Sequence, residues 1–213
     1  MPKLSKEISN TVIRRMPIYH RYLSNLIDEG ENRVSSQRLS ELTGFTASQI
    51  RQDLNNFGGF GQQGYGYNTK ELRKEIDKIL GINREYKSVL IGAGRLGGAI
   101  ARYSGFRTSG FNIMALFDVK KIDDVEGLPV LPMEDFKKYV SDHNIEVAII
   151  TVPASSTEDV CDLVISSGIK GIWNFSPHDL KTPDGVVVEN VRLNDSLLIL
   201  SYYLKNLLEE EEN

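Results

Sequence analysis

The sequence contains almost no cysteine and no long run of apolar residues. Cys161 is the single cysteine among 213 residues, which excludes an internal disulfide and a Cys-x-x-Cys metal or redox pair. Its expected role is that of a small apolar residue on a helix face. No segment approaches the roughly 18 apolar residues of a membrane span, and the N-terminus lacks the apolar run of a signal peptide. We therefore expect a cytoplasmic protein with no membrane or metal partner.

The chain carries a small net negative charge, and its charged residues are unevenly distributed. The formal net charge is −4, which by itself argues against a nucleic-acid partner. Residues 1–80 contain 12 Lys and Arg against 9 Asp and Glu, a net of +3, whereas the remainder contains 13 against 20, a net of −7. Such an asymmetry indicates two domains with different partners.

Helical spacing of apolar residues predicts a first helix over residues 9–29, with Pro17 in its middle. A second, short helix fits SSQRLSELTG, which Gly44 terminates, and a third fits TASQIRQDLNNF. Thr46 and Gln49 have the spacing of a capping box, in which each side chain satisfies a free backbone donor at the helix start. Two helices joined by a short turn form a helix-turn-helix pattern, which on its own is common in helical proteins.

The next stretch, FGGFGQQGYGYN, alternates glycine with aromatic residues and carries no charge. It predicts a hairpin with a tip at residues 61–64 and with strand residues Phe60, Tyr65 and Tyr67. A further amphipathic helix follows at residues 69–80. Helices combined with a glycine-tipped hairpin describe a winged helix, so we predict a winged-helix DNA-binding domain over residues 1–80.

After the linker GINREYK the pattern changes to apolar strands that alternate with amphipathic helices. Helices are predicted at RLGGAIARY and SSTEDVCDLVISSG, and strands at SVLIGAG, NIMALFDV, EVAIITVP, IKGIWNFSP and GVVVENV. This alternation is typical of a parallel sheet with helices on both faces. The predicted fold class is therefore α/β, with a Rossmann-like nucleotide-binding domain over residues 85–193.

The last segment, residues 194–213, reads NDSLLILSYYLKNLLEEEEN and predicts a helix that is apolar on nearly its whole surface. Such a helix must be buried on more than one side. It lies either deep in its own domain or in a partner subunit. The acidic tail at residues 209–212 is more simply a solvated end than a binding element.

Gly92, Gly94 and Gly97 form G-x-G-x-x-G between a predicted strand and a predicted helix. The first glycine permits the tight turn, the second allows the backbone to approach a pyrophosphate, and the third allows close helix–strand packing. Asp118 ends the next strand, 24 positions after Gly94, where an acidic residue binds the adenosine ribose. Because a 2′-phosphate would face this carboxylate, the motif favours NAD(H), although Lys120 and Lys121 are close enough in sequence to soften the repulsion.

Further candidate contacts surround this turn. Arg95 either faces the pyrophosphate or is an exposed arginine at a helix start. Thr151, Val152 and Pro153 end a later strand at the carboxyl edge, where ligands of open α/β sheets lie, or are simply a strand that proline terminates. The candidates from the residues themselves are Gly92, Ala93, Gly94, Arg95, Leu96, Gly97, Asp118, Thr151, Val152 and Pro153.

The three histidines offer little for catalysis. A dehydrogenase needs a proton donor or acceptor beside the nicotinamide. His20 and His143 are expected on the surface, and only His178 follows a strand at its carboxyl end. No separate substrate domain is present either. Two alternatives stay open: a small NAD-dependent oxidoreductase that uses His178, and a regulator that senses CoA or NADP(H) on the same sheet.

Seven stretches together carry a family resemblance over nearly the whole length. They are RLSELTGFTASQIRQDL, FGGFGQQGYGY, GAGRLGGAIARYSGF, FDV, TVPASS, GIKGIWNFSP and VEN. Through them the chain resembles the Rex family of redox-sensing transcriptional repressors. The resemblance implies a homodimer, not an enzyme, that binds double-stranded operator DNA when NAD⁺ prevails and is released by NADH, so that it reports the NADH/NAD⁺ ratio. It also implies that the C-terminal helix is exchanged between subunits.

The resemblance assigns the DNA contacts as well. On the recognition helix these are Ser48, Gln49, Arg51 and Gln52, with Arg51 the best candidate for a guanine edge. At the wing tip Gln62 and Gln63 would reach the minor groove. Relatives usually carry basic residues at position 52 and at the wing tip. The glutamines found here would release fewer counterions, which predicts a shallower salt dependence of DNA binding.

The resemblance extends to residues that sense the nicotinamide. Tyr103 matches a tyrosine placed near that ring, Arg21 matches a first-helix arginine that couples the domains, and Asn174 belongs to a matching stretch beside the nucleotide. Relatives carry an aspartate just after VEN that is expected to pair with the tyrosine and the arginine. Here that position is Arg192, and Asp195 is a candidate substitute.

Overall fold

The computed structural model of the chain describes residues 8–61 and 65–211, in two compact units that meet between Arg84 and Glu85. The N-terminal unit has the element order of a winged helix. It contains α1 (Asn10–Asp28), β1 (Arg33–Val34), α2 (Ser36–Thr43), α3 (Ala47–Asn55), β2 (Tyr67–Asn68) and α4 (Thr69–Leu80).

One apolar face of α1 builds the core of this unit. Its buried residues recur at steps of three and four and are Val12, Met16, Tyr19, Leu23 and Leu26. They pack with buried residues of the other helices, which include Leu39, Ile50, Leu54, Leu72 and Ile76. Pro17 lies inside α1 as expected, on its exposed side, where solvent can satisfy the carbonyl group that has lost its helical donor.

The helix-turn-helix pair forms as the sequence predicts. Gly44 ends α2 in the left-handed conformation, with a φ of 77°, and Thr46 begins α3. The Thr46 hydroxyl accepts a hydrogen bond from the Gln49 backbone N–H at 3.2 Å, which is the threonine half of the predicted capping box. The turn thereby sets the direction in which α3 leaves α2.

The predicted hairpin strands at Phe60 and Tyr65 are wrong. Within the described residues Phe60 lies in no strand and Tyr65 lies in a turn, whereas Tyr67 belongs to β2. The partner of β2 is β1, with Val34 opposite Tyr67 in an antiparallel register. A strand of two residues is too short to show alternating polar and apolar residues, so the sequence pattern does not predict β1. Gln62 and Gln63 lie outside the described residues.

A buried ionic cluster joins α3 to α1. Asp53 on α3 is only 2% exposed. Its carboxylate accepts two hydrogen bonds from the Arg15 guanidinium, one from Nε at 2.6 Å and one from Nη2 at 2.7 Å. The Tyr19 hydroxyl donates a third, at 2.7 Å. The Asp53 carboxylate raises the pKa of Arg15, while burial and Asp53 raise the pKa of Tyr19. Bidentate pairing fixes orientation as well as distance, so this cluster holds α3 at one angle on α1.

The C-terminal unit is a six-stranded parallel sheet in the order β5-β4-β3-β6-β7-β8. Its strands are β3 (Tyr86–Ile91), β4 (Phe111–Asp118), β5 (Val130–Pro132), β6 (Val147–Ile150), β7 (Gly171–Asn174) and β8 (Val187–Asn190). Its helices are α5 (Arg95–Arg102), α6 (Gly105–Thr108), α7 (Phe136–His143), α8 (Thr157–Ser166) and α9 (Leu193–Glu211). This is the strand order of the Rossmann fold, and the α/β prediction is confirmed.

The strand order creates a crevice beside β3. The chain leaves β3 toward β4 and β5 on one side and returns to β6, β7 and β8 on the other. Ligands of open α/β sheets bind at such a switch point, outside the carboxyl ends of the strands. The central strands are buried on both faces, as the near-continuous apolar runs of β3 and β6 require. Cys161 is a buried residue of α8, and its burial raises the pKa of the thiol.

The apolar residues of α9 are exposed within a single chain. Their exposed fractions run from 50% to 69% and belong to Leu197, Leu198, Ile199, Leu200, Tyr202, Tyr203, Leu204, Leu207 and Leu208. The first of the two alternatives from the sequence, burial deep in its own domain, is therefore wrong. Within the described part of the chain, no helix is both long and apolar enough to cross a membrane, and no cluster of metal-ligating side chains occurs.

Asp53→Ala is expected to lower the free energy of unfolding of the N-terminal unit by about 3–5 kcal/mol, because Arg15 would remain as a buried charge without its partner. Urea unfolding followed by far-ultraviolet circular dichroism measures this loss. Fluorescence of Trp173, the single tryptophan, reports on the C-terminal unit and should show an unchanged transition.

Glu41→Ala is the matched control, because Glu41 forms an exposed pair with Arg38 at 3.8 Å. Its loss should change the free energy of unfolding by at most about 1 kcal/mol. Equal effects of the two substitutions would contradict the role assigned to the Asp53 cluster.

Candidate functional site

A cavity of about 630 Å³ opens at the carboxyl ends of the strands around β3. Its size is that of a small-molecule or cofactor site. Its walls come from the ends of β3, β4, β6 and β7 and from the turns that follow them. The lining residues are Ile91, Gly92, Gly94, Leu96, Phe117, Asp118, Val119, Lys120, Ile122, Met133, Thr151, Val152, Pro153, Ser156, Val160, Phe175 and Pro177.

The glycine turn leaves no room for side chains at two positions. Gly92 has a φ of +100°, and a Cβ there would lie 3.0 Å from the Thr151 carbonyl group. A Cβ on Gly97 would lie 2.0 Å from the Gly92 carbonyl oxygen. The first turn of α5 therefore packs directly on the end of β3, and its N-terminal N–H groups face the cavity at Gly94. A helix start of this kind binds phosphate through its free donors and its dipole.

Asp118 ties the glycine turn to the end of β4. Its Oδ2 accepts a hydrogen bond from the Ala93 N–H at 2.8 Å, and its Oδ1 accepts one from the Lys120 N–H at 2.8 Å. A carboxylate has about four acceptor positions, so two remain for the hydroxyl groups of a ribose. The residue is thus already oriented before any nucleotide binds.

Thr151 fastens the same turn from the other side. Its hydroxyl lies 2.7 Å from the Gly92 carbonyl oxygen and 3.1 Å from that of Ile91, and donates its proton between them. Its backbone N–H also donates to Ile91. Thr151 lines the cavity, as do Val152 and Pro153. The Thr151 hydroxyl, however, is already hydrogen-bonded to the backbone carbonyls of Ile91 and Gly92.

Seven of the predicted nucleotide residues line the cavity: Gly92, Gly94, Leu96, Asp118, Thr151, Val152 and Pro153. Five do not: Ala93, Arg95, Gly97, Tyr103 and Asn174. Ala93 gives its N–H to Asp118, and Arg95 is exposed at the start of α5. Gly97 is buried beneath the turn.

Tyr103 and Asn174 occupy other surroundings. Tyr103 ends α5, is 62% exposed and packs its ring on Phe106 at 4.8 Å. Asn174 is fully buried at the end of β7. Its amide donates to the His178 carbonyl at 2.8 Å and to Asn190 Oδ1 at 2.7 Å. Asn174 therefore shapes the loop that follows β7 rather than the cavity surface itself.

Sequence reasoning missed part of the wall. Phe175 and Pro177 follow β7 at its carboxyl end, so the same positional rule that selected Thr151 could have found them. Lys120 also lines the cavity beside Asp118, whereas the sequence suggested only that its charge could soften the repulsion of a 2′-phosphate. Met133 follows β5, a strand of three residues that gave no pattern in the sequence.

No histidine is among the described lining residues of the cavity. His178 Nε2 is 3.1 Å from Glu158 Oε1. His20 is half-buried, 3.0 Å from Asp77 of α4, and its pKa is lowered by burial and by Arg73. His143 is also partly buried. Both residues are partly exposed, which is compatible with the surface positions expected for them.

The outer face of α3 carries polar residues at helical spacing. Ser48, Arg51 and Gln52 are exposed at positions i, i+3 and i+4, whereas Ile50, Asp53 and Leu54 are buried on the opposite side. Gln49 is half-buried. The exposed residues form one stripe, which we call the α3 stripe, and the Arg51 guanidinium donates to the Ser36 hydroxyl at 2.8 Å.

A second arginine lies at the base of the wing and was missed. Arg33 of β1 donates to the Tyr65 carbonyl at 3.2 Å, and its guanidinium lies 6.0 Å from the centre of the Tyr65 ring. Tyr65 is 71% exposed. The position of Arg33 depends on the pairing of β1 with β2, which the sequence did not show.

Two family models match the chain. A model described as a putative DNA-binding protein N-terminus matches residues 7–55, which include the α3 stripe. A model described as a CoA binding domain matches residues 83–178, which include the glycine turn and the strands that form the cavity.

Curated relatives match over almost the entire length. A redox-sensing transcriptional repressor Rex from Clostridioides difficile is 54% identical over 207 residues, covering 94% of this chain and 97% of that protein. The Rex repressor of Clostridium acetobutylicum is 49% identical, covering 95% of this chain and 96% of the relative.

Two crystal structures of RSP have the same fold. RSP in complex with β-NAD⁺ and operator DNA superposes with a TM-score of 0.89 at 46% identity, covering 97% of this chain and 98% of that one. RSP in complex with β-NADH superposes with a TM-score of 0.88 at 43% identity, covering 98% and 100%. From identity at this level over nearly its full length, the chain belongs to the Rex family of redox-sensing transcriptional repressors.

Proposed function

We propose that the chain is a transcriptional repressor that binds operator DNA and leaves it when NADH occupies the cavity of the C-terminal unit. The observation that carries this proposal is that one chain contains both the glycine turn with Asp118 and the α3 stripe. RSP, which superposes on almost the whole chain, binds NAD⁺ together with operator DNA and also binds NADH. A bacterial cell holds both its DNA and its NADH in the cytoplasm, which is where this protein would act.

The α3 stripe is the proposed surface for reading the major groove. Arg51 presents two parallel donors that match the O6 and N7 acceptors of guanine. Ser48, Gln49 and Gln52 flank it on the same helix, and Gln62 and Gln63 are proposed to contact the minor groove. Because position 52 and the wing tip carry glutamine where relatives usually carry basic residues, fewer counterions would be released on binding, and the salt dependence of DNA binding should be shallower than in those relatives.

The nucleotide is proposed to lie across the carboxyl ends of the strands. Asp118 binds the adenosine ribose, the start of α5 binds the pyrophosphate, and the nicotinamide half extends toward β6 and β7. Asp118 disfavours a 2′-phosphate, so NAD(H) is preferred to NADP(H), even with Lys120 in the lining. The matching family model is described as a CoA binding domain, and CoA could use the same glycine turn. Competition between CoA and NADH for the chain distinguishes a CoA site from an NAD(H) site.

The proposed assembly is a homodimer in which α9 packs against a partner subunit. Burying nine large apolar side chains that are at least half exposed in a single chain supplies the driving force. An apolar groove of about 350 Å³ on the sheet, with Phe106, Phe111 and Trp173 in its wall, offers a matching surface. Two α3 helices related by a two-fold axis suit a palindromic operator.

The proposed role is regulatory and does not include catalysis. Hydride transfer to a substrate needs a group that moves a proton beside the nicotinamide. His178, the residue of the enzyme alternative, pairs with Glu158 outside the described lining of the cavity. Substrate turnover that disappears in His178→Ala would support the enzyme alternative instead.

Titration of operator-bound protein with NADH and with NAD⁺ tests the proposal. Moving a dimer from mostly bound to mostly free requires NADH to prefer the free state by about 5.5 kcal/mol, and NAD⁺ must prefer it much less. We therefore expect NADH to release the operator recognised by RSP in a gel-shift assay, and NAD⁺ to leave it bound. Operator binding that NADH does not change would overturn the proposal.

Arg51→Ala is the matched control for this titration. It should weaken operator binding by about 1–3 kcal/mol, because one bidentate base contact is lost. NADH affinity, measured by calorimetry, should equal that of the unmodified chain because Arg51 lies on α3, outside the nucleotide-binding unit.

Asp118→Ala is expected to weaken NADH binding about tenfold or more, since hydrogen bonds of a charged acceptor contribute about 1.5–3 kcal/mol. Binding of NADPH should not weaken to the same extent, because the carboxylate that repels its 2′-phosphate is removed. The measurement is the ratio of the two dissociation constants. An unchanged ratio, or CoA binding more tightly than NADH to the unmodified chain, would favour the other-nucleotide alternative.

The double substitution Leu200→Glu with Leu204→Glu is expected to convert the dimer to a monomer in sedimentation velocity. The two residues lie one helical turn apart on α9, and carboxylates there would be buried without partners in the interface. Glu210→Gln, at the end of the same helix, is the control and should remain dimeric. A double variant that stays dimeric would exclude α9 from the interface.

A further inference from the structure

The loop that follows β7, residues 175–179, forms one wall of the nucleotide cavity, and we call it the β7 loop. Phe175 and Pro177 line the cavity directly. Asp118 lies at the end of β4, on the other side of β3. Because the adenosine half binds on the Asp118 side, the β7 loop faces the nicotinamide half. The shape of this loop therefore affects one half of the ligand and not the other.

The buried amide of Asn174 holds the start of the loop, and the partly buried amide of Asn190 holds the residue just beyond its end. Asn174 Oδ1 accepts from the Ser176 N–H at 3.0 Å, and its amide nitrogen donates to the His178 carbonyl at 2.8 Å. Asn190 of β8 accepts from the Leu180 N–H at 3.1 Å and donates to its carbonyl at 3.2 Å. These bonds fix where the loop begins and ends, and in its middle the buried Ser176 hydroxyl is hydrogen-bonded to the Thr157 hydroxyl of α8.

Arg192 adds a contact to the backbone of the same loop, from the segment between β8 and α9. Its Nη1 donates to the Ser176 carbonyl at 2.6 Å, between the two lining residues of the loop. Its Nη2 pairs with the Asp179 carboxylate at the end of the loop. The Arg192 side chain is only 23% exposed, and the next residue, Leu193, begins α9. One guanidinium thus connects the cavity wall with the start of α9.

We propose that Arg192 is a positioning residue that holds the β7 loop in the shape that receives the nicotinamide half of NADH and fastens this loop to α9. This inference rests on the proposed function and deepens it. Asp179 is 70% exposed, so its ion pair with Arg192 is weak. The bond to the Ser176 carbonyl, which is made by a largely buried donor, carries most of the effect.

The connection to α9 gives this contact a regulatory consequence. A ligand that presses on Phe175 or Pro177 displaces the Ser176 carbonyl, and Arg192 passes the displacement to Leu193. A ligand shifts an equilibrium only through contacts that differ between the two states. The β7 loop and Arg192 supply such a contact on the side of the cavity where NADH and NAD⁺ differ chemically.

Calorimetric titration of Arg192→Ala with NADH and, separately, with AMP tests the inference on the full chain. NADH affinity should fall about five- to tenfold, as expected when one hydrogen bond of a charged group no longer orders the wall. AMP, which occupies only the Asp118 side, should bind as it does to the unmodified chain. A general loss of structure would weaken both ligands equally, and that result, or unchanged NADH affinity, would overturn the inference.

Two further variants complete the design. Arg192→Lys keeps one charged donor for the Ser176 carbonyl but not the second arm, so its NADH affinity should lie between those of Arg192→Ala and the unmodified chain. Lys181→Ala removes an exposed positive charge just beyond the same loop and should leave both affinities unchanged. If Lys181→Ala reproduces the effect of Arg192→Ala, a general change of charge explains the result and the inference fails.

A gel-shift arm separates this inference from the proposed function. NADH should release operator DNA from the Arg192→Ala protein only at a concentration raised by the same factor as its dissociation constant, or by a larger one. An unmodified chain that ignores NADH on the operator would refute the proposed function, while the calorimetric comparison of NADH with AMP would still decide the role of Arg192.

Discussion

The direct packing of α5 on the end of β3 is the constraint on which the nucleotide site depends. The Gly92 carbonyl lies where a side chain on Gly97 would have to be, so backbone meets backbone. Only this approach brings the first N–H groups of α5 to the mouth of the crevice. Thr151 and Asp118 then hold the turn from β6 and from β4, with hydrogen bonds of 2.7 and 2.8 Å. The phosphate-binding geometry is thus built by the protein before a ligand arrives, which lowers the ordering cost of binding.

The two units fix their functional helices by different means. The C-terminal unit uses close backbone packing, which is possible because glycine has no side chain that would keep the two backbones apart. The N-terminal unit is small and cannot bury enough apolar surface to set every angle, so it adds the charged cluster of Asp53, Arg15 and Tyr19. A buried ion pair is a weak source of stability but a good source of orientation. The role proposed for α3, reading base edges, would require such a fixed orientation.

Sequence patterns predicted the elements with long, regular signals and missed contacts that depend on tertiary placement. The helix over residues 9–29, the capping bond of Thr46 and the glycine turn all follow from local chemistry and are present. The pairing of β1 with β2 was not predictable, because two residues cannot display a period. Likewise, no local rule shows that Asn174 turns its amide toward His178, or that Arg192 reaches back to the Ser176 carbonyl.

The proposed role of Arg192 gives a route by which a difference at the nicotinamide would reach the rest of the protein. NADH and NAD⁺ share the adenosine and pyrophosphate groups, so in the proposed site Asp118 and the start of α5 would contact both forms in the same way and would not distinguish them. Discrimination must come from the far side of the crevice, where the β7 loop lies. A change in ligand shape on that side would act first on this loop. Because Arg192 joins this loop to the residue that begins α9, the same change acts on the helix with the largest exposed apolar surface of the described chain. Coupling of this kind requires an element with two alternative positions that both sites can bias, and in the proposed mechanism α9, with its junction at Arg192, would be that element.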